Sequence, residues 1–472
     1  MSDLPLDDIQ GFVLRTYAMP ALRVFALKVE HPSAAGRVLT ALTADPSVLT
    51  PVTTGPPPAT PALPRITSAV TWTTKPDACV NIGFTHAGLA AMGLSGDQLA
   101  SFPEDFVQGP VQRAARVGDV GDSAPEHWKG QLAGPDVHAL VFVYAQSEDA
   151  LNATSHALRV QFADGPAFSE VSVHDARGLP GSVAHFGYRD GFAQPSIEGG
   201  PPLPLPDVLP PAPAGEFLLG YKSQWNDFTY PVPQPDALGR NGSFVAFRVL
   251  AQDCDGFERF LSRAASDTGL DRELIAAKLV GRWRNGVPLA LSPNAPDANL
   301  PEDKYNSFDY AANPTLSDVV SDPRGERCPI GAHIRRMNPR NSTVAGSGGL
   351  KRRIVRRGLP FGPLYDPTTP DDGIERGLLG LFIGVSLKDQ FEFLMGDWAN
   401  KGLFAPGLHG TKDPVIGDNS SSDATFLLRM NGRTVELAGL SRFVTCRGAA
   451  YAFLPSVTGL RQLASIAAAV AP

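Results

Sequence analysis

The chain contains 472 residues, which exceeds the ~250 to 300 residues at which one hydrophobic core stops growing. Hydrophobic residues make up 43% and charged residues 19%, which excludes a disordered polyelectrolyte and predicts a globular protein with two core-forming units. The net charge of −7 argues against nucleic acid or an anionic membrane as the main partner.

Two features of the sequence indicate the cellular location: the N-terminal segment and the spacing of the cysteines. Met1–Phe12 has neither the basic region nor the apolar region of a secretion signal. The longest apolar stretches, Ala139–Ala145 and Gly377–Leu387, are shorter than the ~20 residues that cross a bilayer. Cysteines occur singly, without metal-binding spacing, at positions 79, 254, 328 and 446. We therefore expect buried free thiols and a cytoplasmic protein.

A strand followed by a helix occurs early in the chain and again in its second half. Leu22–Glu30 has the apolar pattern of a strand, and His31–Leu42 carries apolar residues at helical spacing. Phe244–Leu250 and Ala251–Ala265 repeat this order. The recurrence indicates a duplicated unit.

Two further pairs of segments repeat the pattern in the same order. Cys79–Gly93 corresponds to Leu381–Gly396, and Val137–Leu158 corresponds to Phe443–Ala468. Three such pairs predict an α+β fold of two similar ferredoxin-like halves, each of the split βαβ type, with antiparallel sheets and peripheral helices.

A proline-dense run, Gly199–Gly215, separates the two predicted halves, because proline rings disfavour helices and central strands. We expect an N-terminal half at residues 1–200, a connection at 201–215 and a C-terminal half at 216–472. The stretch Val287–Asn341 reads as a long irregular excursion, and loops of this length in compact domains are usually functional.

The most unusual composition lies between Arg324 and Arg357, where ten basic residues accompany one acidic residue, Glu326. A solvated face paired with carboxylates is one interpretation, and a nucleic-acid patch is disfavoured because the stretch has no aromatic residue for stacking. His333 lies inside the cluster. An imidazole among cations suits a planar metal cofactor that carries carboxylates, although a lone histidine is often only structural.

A second group of residues lies in His185–Pro195, where Gly187, Asp190 and Gly191 form a GxxDG arrangement. The glycines permit backbone geometries that other residues resist, and they leave space beside the carboxylate. Asp190 is therefore a candidate in a pocket wall. An ordinary Asp-Gly turn is the alternative.

The segments GYRDGFAQP, GAHIRRMNPR and RRIVRRGLPFG, in this order, resemble the dye-decolourising peroxidases, a family of haem enzymes. Further similarity, including GEFLLGY and QFEFLMGDWAN, extends the resemblance over nearly the whole chain. It implies two ferredoxin-like halves with one haem pocket and one haem b, held mainly by the C-terminal half.

The resemblance also implies roles for individual residues on the iron's two sides. His333 matches the proximal iron ligand, and Arg335 and Arg340 would face or support the haem propionates. Asp190, with Gly191 beside it, matches the distal carboxylate. Arg356 matches a distal arginine that contributes to catalysis and to cofactor binding.

Two assignments stay open within the resemblance. Arg357 competes with Arg356, because the Arg-Arg pair shifts the register by one residue. The second nitrogen of the proximal histidine needs an acceptor, for which Asp397 is the candidate and Glu392 is less favoured. Asp397 could instead be a surface residue at a helix end.

The function implied is a peroxidase that reduces hydrogen peroxide and oxidises bulky phenolic or dye-like electron donors through a ferryl intermediate. Asp190 would move the peroxide proton and Arg356 would stabilise the departing oxygen. The alternatives are a haem-handling protein with incidental peroxidase activity and an interaction module that has lost haem. Neither explains a distal Asp-Arg pair together with His333. A homo-oligomer is possible.

Overall fold

The computed structural model describes residues 4–44, 64–205, 209–226, 228–311, 320–340, 350–402, 405, 408, 410–421, 423–430 and 432–470. The strands in this part of the chain are β1 Ala21–Val29, β2 Ala78–Phe84, β3 Ala139–Ala145, β4 Phe168–Arg177, β5 Ser243–Gln252, β6 Val355–Arg356, β7 Leu359–Phe361, β8 Gly377–Gly384, β9 Thr425–Met430, β10 Arg433–Ala438 and β11 Val444–Leu454.

The α-helices are α1 Gly11–Leu14, α2 Pro32–Leu42, α3 His86–Ala91, α4 Gly96–Ala100, α5 Glu104–Gln112, α6 Glu148–Ala163, α7 Asp236–Gly239, α8 Cys254–Thr268, α9 Arg272–Val280, α10 His333–Met337 and α11 Val457–Ala468. Two segments with π-helical turns span Leu387–Phe391 and Leu394–Ala399. Short 3₁₀ turns lie at Ala114–Val117, Gly121–Ser123, Pro125–His127, Pro180–Ser182, Ala214–Glu216 and Glu302–Lys304.

Local sequence explains where the longer helices begin and end. The side chain of Asp253 accepts a hydrogen bond from the Gly256 amide and caps α8, which ends at Gly269 in the left-handed conformation. Ser147 caps α6 in the same way by accepting from the Ala150 amide. The predicted strand-helix units therefore form with nearly the predicted bounds.

Among the described residues, nine strands form one sheet in the order β4-β1-β3-β2-β11-β5-β8-β6, with β7 also paired to β8. All of these pairings are antiparallel. β1 to β4 have the ferredoxin-like order 4-1-3-2. The same order recurs in a second set of strands, β11-β5-β8-β6, when β5 is counted as the first strand of that set. The predicted duplication is confirmed, and the two sets of strands join in one continuous sheet.

The topology corrects two of the three predicted pairs of repeated segments. β5 does correspond to β1, because each is the central first strand of its set. β8, however, takes the place of β3 rather than β2, and β11 takes the place of β4 rather than β3. Sequence similarity indicated strand-helix units correctly, but strand position depends on pairing partners, which lie far away in sequence.

Alternate residues of the sheet enter two different hydrophobic cores. On β5, Phe244 and Ala246 pack in the core that contains α2, α6 and α11, whereas Val245 and Phe247 pack in the core on the opposite face. The sheet curves until β4 approaches β7. No ladder joins these two strands, so the sheet stays open in the described structure.

The predicted excursion Val287–Asn341 is irregular where the structure describes it, with one 3₁₀ turn and α10. Its apolar residues form a separate buried cluster with the end of α9. This cluster includes Phe192, Trp283, Tyr305, Phe308 and Ala332. The cluster supports the loops that carry the candidate site.

The four cysteines are free and buried, as predicted. Within the described residues, the helices are too short or too polar to span a bilayer. The cytoplasmic location stays a prediction, and so do the bounds of the two halves and of the connection between them.

The aromatic junction between the two sets of strands leads to a prediction about stability. β2 and β11 pair at Phe84 and Phe453, and the Phe453 ring contacts the rings of Phe102 and Phe244 at 5.3 and 5.4 Å. We expect Phe453→Ala to lower the free energy of unfolding by about 3–5 kcal/mol in urea denaturation. Val160→Ala, on the exposed face of α6, should change it by less than about 0.5 kcal/mol. Equal effects of the two changes would contradict this account of the junction.

Candidate active site

The segment around Asp190 is an irregular turn that depends on two glycines. Gly187 and Gly191 both have positive φ, of 83° and 92°. A Cβ added to Gly187 would lie 2.6 Å from Nη1 of Arg284, so this position permits a close approach. A Cβ added to Gly191 would meet nothing within 4 Å. Open space therefore lies beside Asp190, as predicted.

The Asp190 carboxylate is exposed, and one of its oxygens is held by the backbone. Oδ1 accepts a hydrogen bond from the Gly191 amide at 2.6 Å, and the Asp190 amide donates to the Ser182 carbonyl at 3.0 Å. Oδ2 has no hydrogen-bond partner among the described residues. The carboxylate is thus oriented and retains an oxygen that can accept a proton.

Arg356 is attached directly to the Asp190 segment. Its guanidinium donates from Nη2 to the Ala193 carbonyl at 2.6 Å. Gln194 accepts from the Arg356 amide at 3.1 Å and donates to the Arg356 carbonyl at 3.0 Å. Because β6 pairs with β8, this arrangement joins the Asp190 segment to the central sheet.

Arg357 points to the opposite side of the strand. Its Nε donates to the carbonyls of Phe12 and Arg15 at 2.9 and 3.0 Å. Burial lowers the pKa of Arg357 to about 10, and the nearby Tyr144 opposes this shift. Of the two arginines, Arg356 is therefore the one on the side of Asp190.

His333 is the first residue of α10, and its Nδ1 is 3.0 Å from Oδ2 of Asp413. Asp413 is completely buried, and its Oδ1 accepts from the amides of Val415 and Ile416 at 2.8 and 3.0 Å. Burial would raise the pKa of Asp413, but His333 and Arg336 outweigh burial and lower it. The ionised carboxylate therefore fixes the orientation of the imidazole.

The prediction that Asp397 accepts this hydrogen bond is wrong. Asp397 lies at the surface, where it pairs with Arg116 at 2.7 Å and with Lys401 at 2.9 Å. Glu392 is also not the acceptor, because its carboxylate is buried against Arg113 and Tyr451. Asp413 lies 80 residues beyond His333 in an irregular segment, and nothing in its local sequence distinguished it.

Arg335 lies in the protein interior, and its expected role of facing or supporting a haem propionate stays a prediction. Arg335 is 1% exposed, and its guanidinium donates to the Asp322 carboxylate at 3.0 Å and to the Cys328 carbonyl at 2.6 Å. It stacks over the Tyr310 ring at 4.3 Å. Arg335 thus holds the loop that precedes α10.

Arg340 lies beyond the end of α10 with a positive φ of 53°. Its Nη1 donates to the Phe308 carbonyl at 2.8 Å, and its guanidinium stacks on the Phe308 ring at 3.9 Å. These contacts support the loop, and the role of Arg340 toward a cofactor stays a prediction.

The buried Arg282 links candidate residues that lie on separate elements of the fold. Its charge interacts with Asp190, Arg356 and Arg340, which places the candidate residues in one electrostatic group. Phe192, two residues after Asp190, and Ala332, directly before His333, belong to the same hydrophobic cluster.

Arg282 lies in the segment AKLVGRWRNGVPLALSP and Gln194 lies in GYRDGFAQP, but the sequence alone assigned neither residue a function.

Comparison with known proteins identifies the family. The DyP dimeric alpha+beta barrel domain matches residues 65–178. A dye-decolorizing peroxidase from Exidia glandulosa is 30% identical over 481 aligned positions, which cover 98% of this chain and 87% of that protein. The chain belongs to the dye-decolorizing peroxidase family. It is a peroxidase, as the sequence predicted.

Solved structures of dye-decolorizing peroxidases agree with the fold. The fungal DyP-type peroxidase from Auricularia auricula-judae superimposes with a TM-score of 0.77 at 25% identity, covering 98% of this chain and all of that chain. A dye-decolorizing peroxidase in complex with 2,6-dimethoxyphenol superimposes with a TM-score of 0.76 at 27% identity, with 98% and 100% coverage. The α+β fold and the antiparallel sheet are thus shared with these enzymes.

The buried contacts of Arg335 give a prediction about the stability of this peroxidase. Arg335→Met would leave the buried Asp322 carboxylate without its cation, and we expect the free energy of unfolding to fall by about 3–5 kcal/mol. Asp397→Ala removes only surface ion pairs and should cost less than about 1 kcal/mol. Chemical denaturation of both variants is the measurement. A loss of similar size in the two would show that Arg335 does not hold the loop.

Proposed function

We propose that this peroxidase holds one haem b on His333, reduces hydrogen peroxide, and oxidises bulky phenolic or dye-like donors. The observation that carries the proposal is the pair formed by Asp190 and Arg356, which are joined through Ala193 and Gln194. An enzyme that cleaves peroxide needs both a group that moves a proton and a fixed positive charge.

The chemistry of His333 and Asp413 fits the binding of haem. Nδ1 of His333 is occupied by Asp413, and no residue of the described structure bonds to Nε2. A carboxylate on the far nitrogen raises the basicity of an imidazole that binds iron. The described residues contain no cluster of three or more His, Cys, Asp or Glu side chains suited to a metal ion. Haem held by His333 would supply the redox capacity that the side chains lack.

The side chains have distinct tasks in the proposed reaction. Asp190 accepts a proton from one oxygen of hydrogen peroxide and returns it to the other oxygen, which leaves as water. The guanidinium of Arg356 stabilises the negative charge that develops on the departing oxygen while the O–O bond breaks. Two donor molecules each then lose one electron and one proton. The balance is one peroxide and two donors to two waters and two donor radicals.

The donor class is supported by a related enzyme. A dye-decolorizing peroxidase of similar fold has been solved in complex with 2,6-dimethoxyphenol. On that basis we propose that this peroxidase also oxidises phenolic donors.

The assignment of His333 predicts loss of the cofactor. We expect His333→Ala to contain little haem, or haem with a shifted Soret band, because the nitrogen oriented by Asp413 is removed. Haem stoichiometry and the absorption spectrum are the measurements. His185→Ala is the matched control, since His185 is buried against the Phe361 carbonyl and should leave the iron spectrum unchanged. A parent-like spectrum in His333→Ala would transfer the assignment to another histidine.

The assignment of Asp190 predicts a slow reaction with peroxide. Asp190→Asn keeps the size of the side chain but removes the base, so haem binding should persist while peroxide reacts about 10² to 10⁴-fold more slowly. Stopped-flow absorbance near neutral pH measures the rate. A rate within threefold of the parent would mean that the proton moves by another route.

The neighbouring arginines allow a matched comparison. Arg356→Leu should slow the same step by about 10² to 10³-fold while retaining haem. Arg357→Leu should affect stability instead, because Arg357 bonds to the carbonyls of Phe12 and Arg15 away from the site. A large loss of rate in Arg357→Leu with little loss in Arg356→Leu would assign the catalytic role to Arg357.

A further inference from the structure

Arg282 is a buried arginine that bonds to three acceptors on two different loops. It follows α9 and is 7% exposed. Nη1 donates to the carbonyls of Gly286 and Tyr305 at 2.9 and 3.0 Å, and Nη2 donates to Oδ1 of Asn306 at 3.0 Å. The planar fork of a guanidinium reaches all three acceptors, which a lysine amine does not match.

The two loops that Arg282 joins form the walls of a slot for the Phe192 ring. A Cβ added to Gly286 would lie 2.5 Å from Cε2 of Phe192 and 3.1 Å from Cε2 of Tyr305, so the ring packs on bare backbone. The rings of Phe192 and Tyr305 are 5.1 Å apart, edge to face. Arg282 therefore bonds to both of the residues against which the Phe192 ring packs.

The backbone at Phe192 is held by the same assembly. Asn306 is buried, and its Nδ2 donates to the Phe192 carbonyl while its Oδ1 accepts from Arg282. The Arg189 amide donates to the Arg284 carbonyl at 3.0 Å. Contacts from the Arg282 loops thus hold the chain on both sides of Asp190, at Arg189 and at Phe192.

Arg282 also keeps its charge near the site. Burial lowers the pKa of Arg282 to about 10, Arg340 and Arg356 act in the same direction, and Tyr310 and Asp190 oppose them. The side chain remains a cation below that pH. It therefore keeps all of its N–H donors at neutral pH.

We propose that Arg282 is a positioning residue for proton transfer, which acts by clamping the Phe192 slot and so holding Asp190 in place. The proposal rests on the proposed role of Asp190 as the base. Reactions that need a group in a fixed place lose up to about 10²-fold in rate when it moves by 1 Å. Arg282 touches neither peroxide nor cofactor in this account.

The test compares five variants as holoenzymes. Arg282→Met removes the fork at similar length, Arg282→Lys keeps the charge, and Phe192→Leu leaves the slot partly empty without changing any charge. Asp190→Asn removes the base itself. Arg248→Met is the matched control, because Arg248 is an equally buried arginine whose partner is Asp119, outside the site.

Two rates are measured per bound haem: the second-order reaction with hydrogen peroxide and the association of cyanide. Hydrogen cyanide gives up its proton when it binds as an anion, so its association reports the distal base without turnover. Haem content and the melting temperature are recorded for each variant.

We expect Arg282→Met to slow both rates at least about tenfold with normal haem content, Arg282→Lys to recover part of the loss, and Phe192→Leu to slow both rates severalfold. Arg248→Met should lower the melting temperature but keep both rates per haem. If Arg282→Met does not fold, Arg282→Lys and Phe192→Leu decide the question.

Rates within twofold of the parent in the Arg282 and Phe192 variants, beside a slow Asp190→Asn, would overturn the inference and leave the proposed function intact. An equal loss of rate in Arg248→Met would also overturn the inference, because the loss of rate would then reflect only the reduced stability of the protein. A fast Asp190→Asn would overturn the proposed role of Asp190 and the inference with it.

Discussion

Carbonyl groups on buried irregular backbone must find hydrogen-bond donors, and in this peroxidase guanidinium groups supply many of them. Arg336 is 0% exposed and donates to the carbonyls of Gly331 and Trp398 and to the Thr411 hydroxyl. It therefore ties α10, which carries His333, to the segment that carries Asp413. Other buried arginines do the same between neighbouring loops: Arg282, Arg335, Arg340 and Arg357. A helix of five residues, as short as α10, has little stability of its own, so its position depends on these bonds.

Much of the fold could be predicted from the sequence, because its strands and helices have strong hydrophobic periodicity. β1 with α2, and β5 with α8, appear nearly where the pattern indicates. The equivalence of later strands could not be predicted, since it depends on which strands pair. β6 and β7 have two and three residues, too few for a detectable pattern, yet one of them carries Arg356.

The candidate site was predictable where a residue lies in a distinctive motif. Asp190 lies between glycines, and His333 lies among arginines, so both stand out from local composition. Asp413 could not be found in this way, because its contact with His333 arises only after folding. Arg335 shows the converse limit. A sequence gives the charge of a side chain, but it does not reveal whether a buried carboxylate such as Asp322 already neutralises that charge.

The continuous sheet has a consequence for motion and for folding. Because one sheet runs through both sets of strands, a rotation of the two sets as rigid bodies would break the pairing of β2 with β11. Ligands reach the exposed Asp190 carboxylate without such a closure of domains. For the same reason either set alone would present an unpaired edge strand with a phenylalanine at or next to its end, Phe84 in β2 or Phe453 in β11, which favours edge-to-edge aggregation. Folding is therefore expected to be cooperative across the two sets of strands.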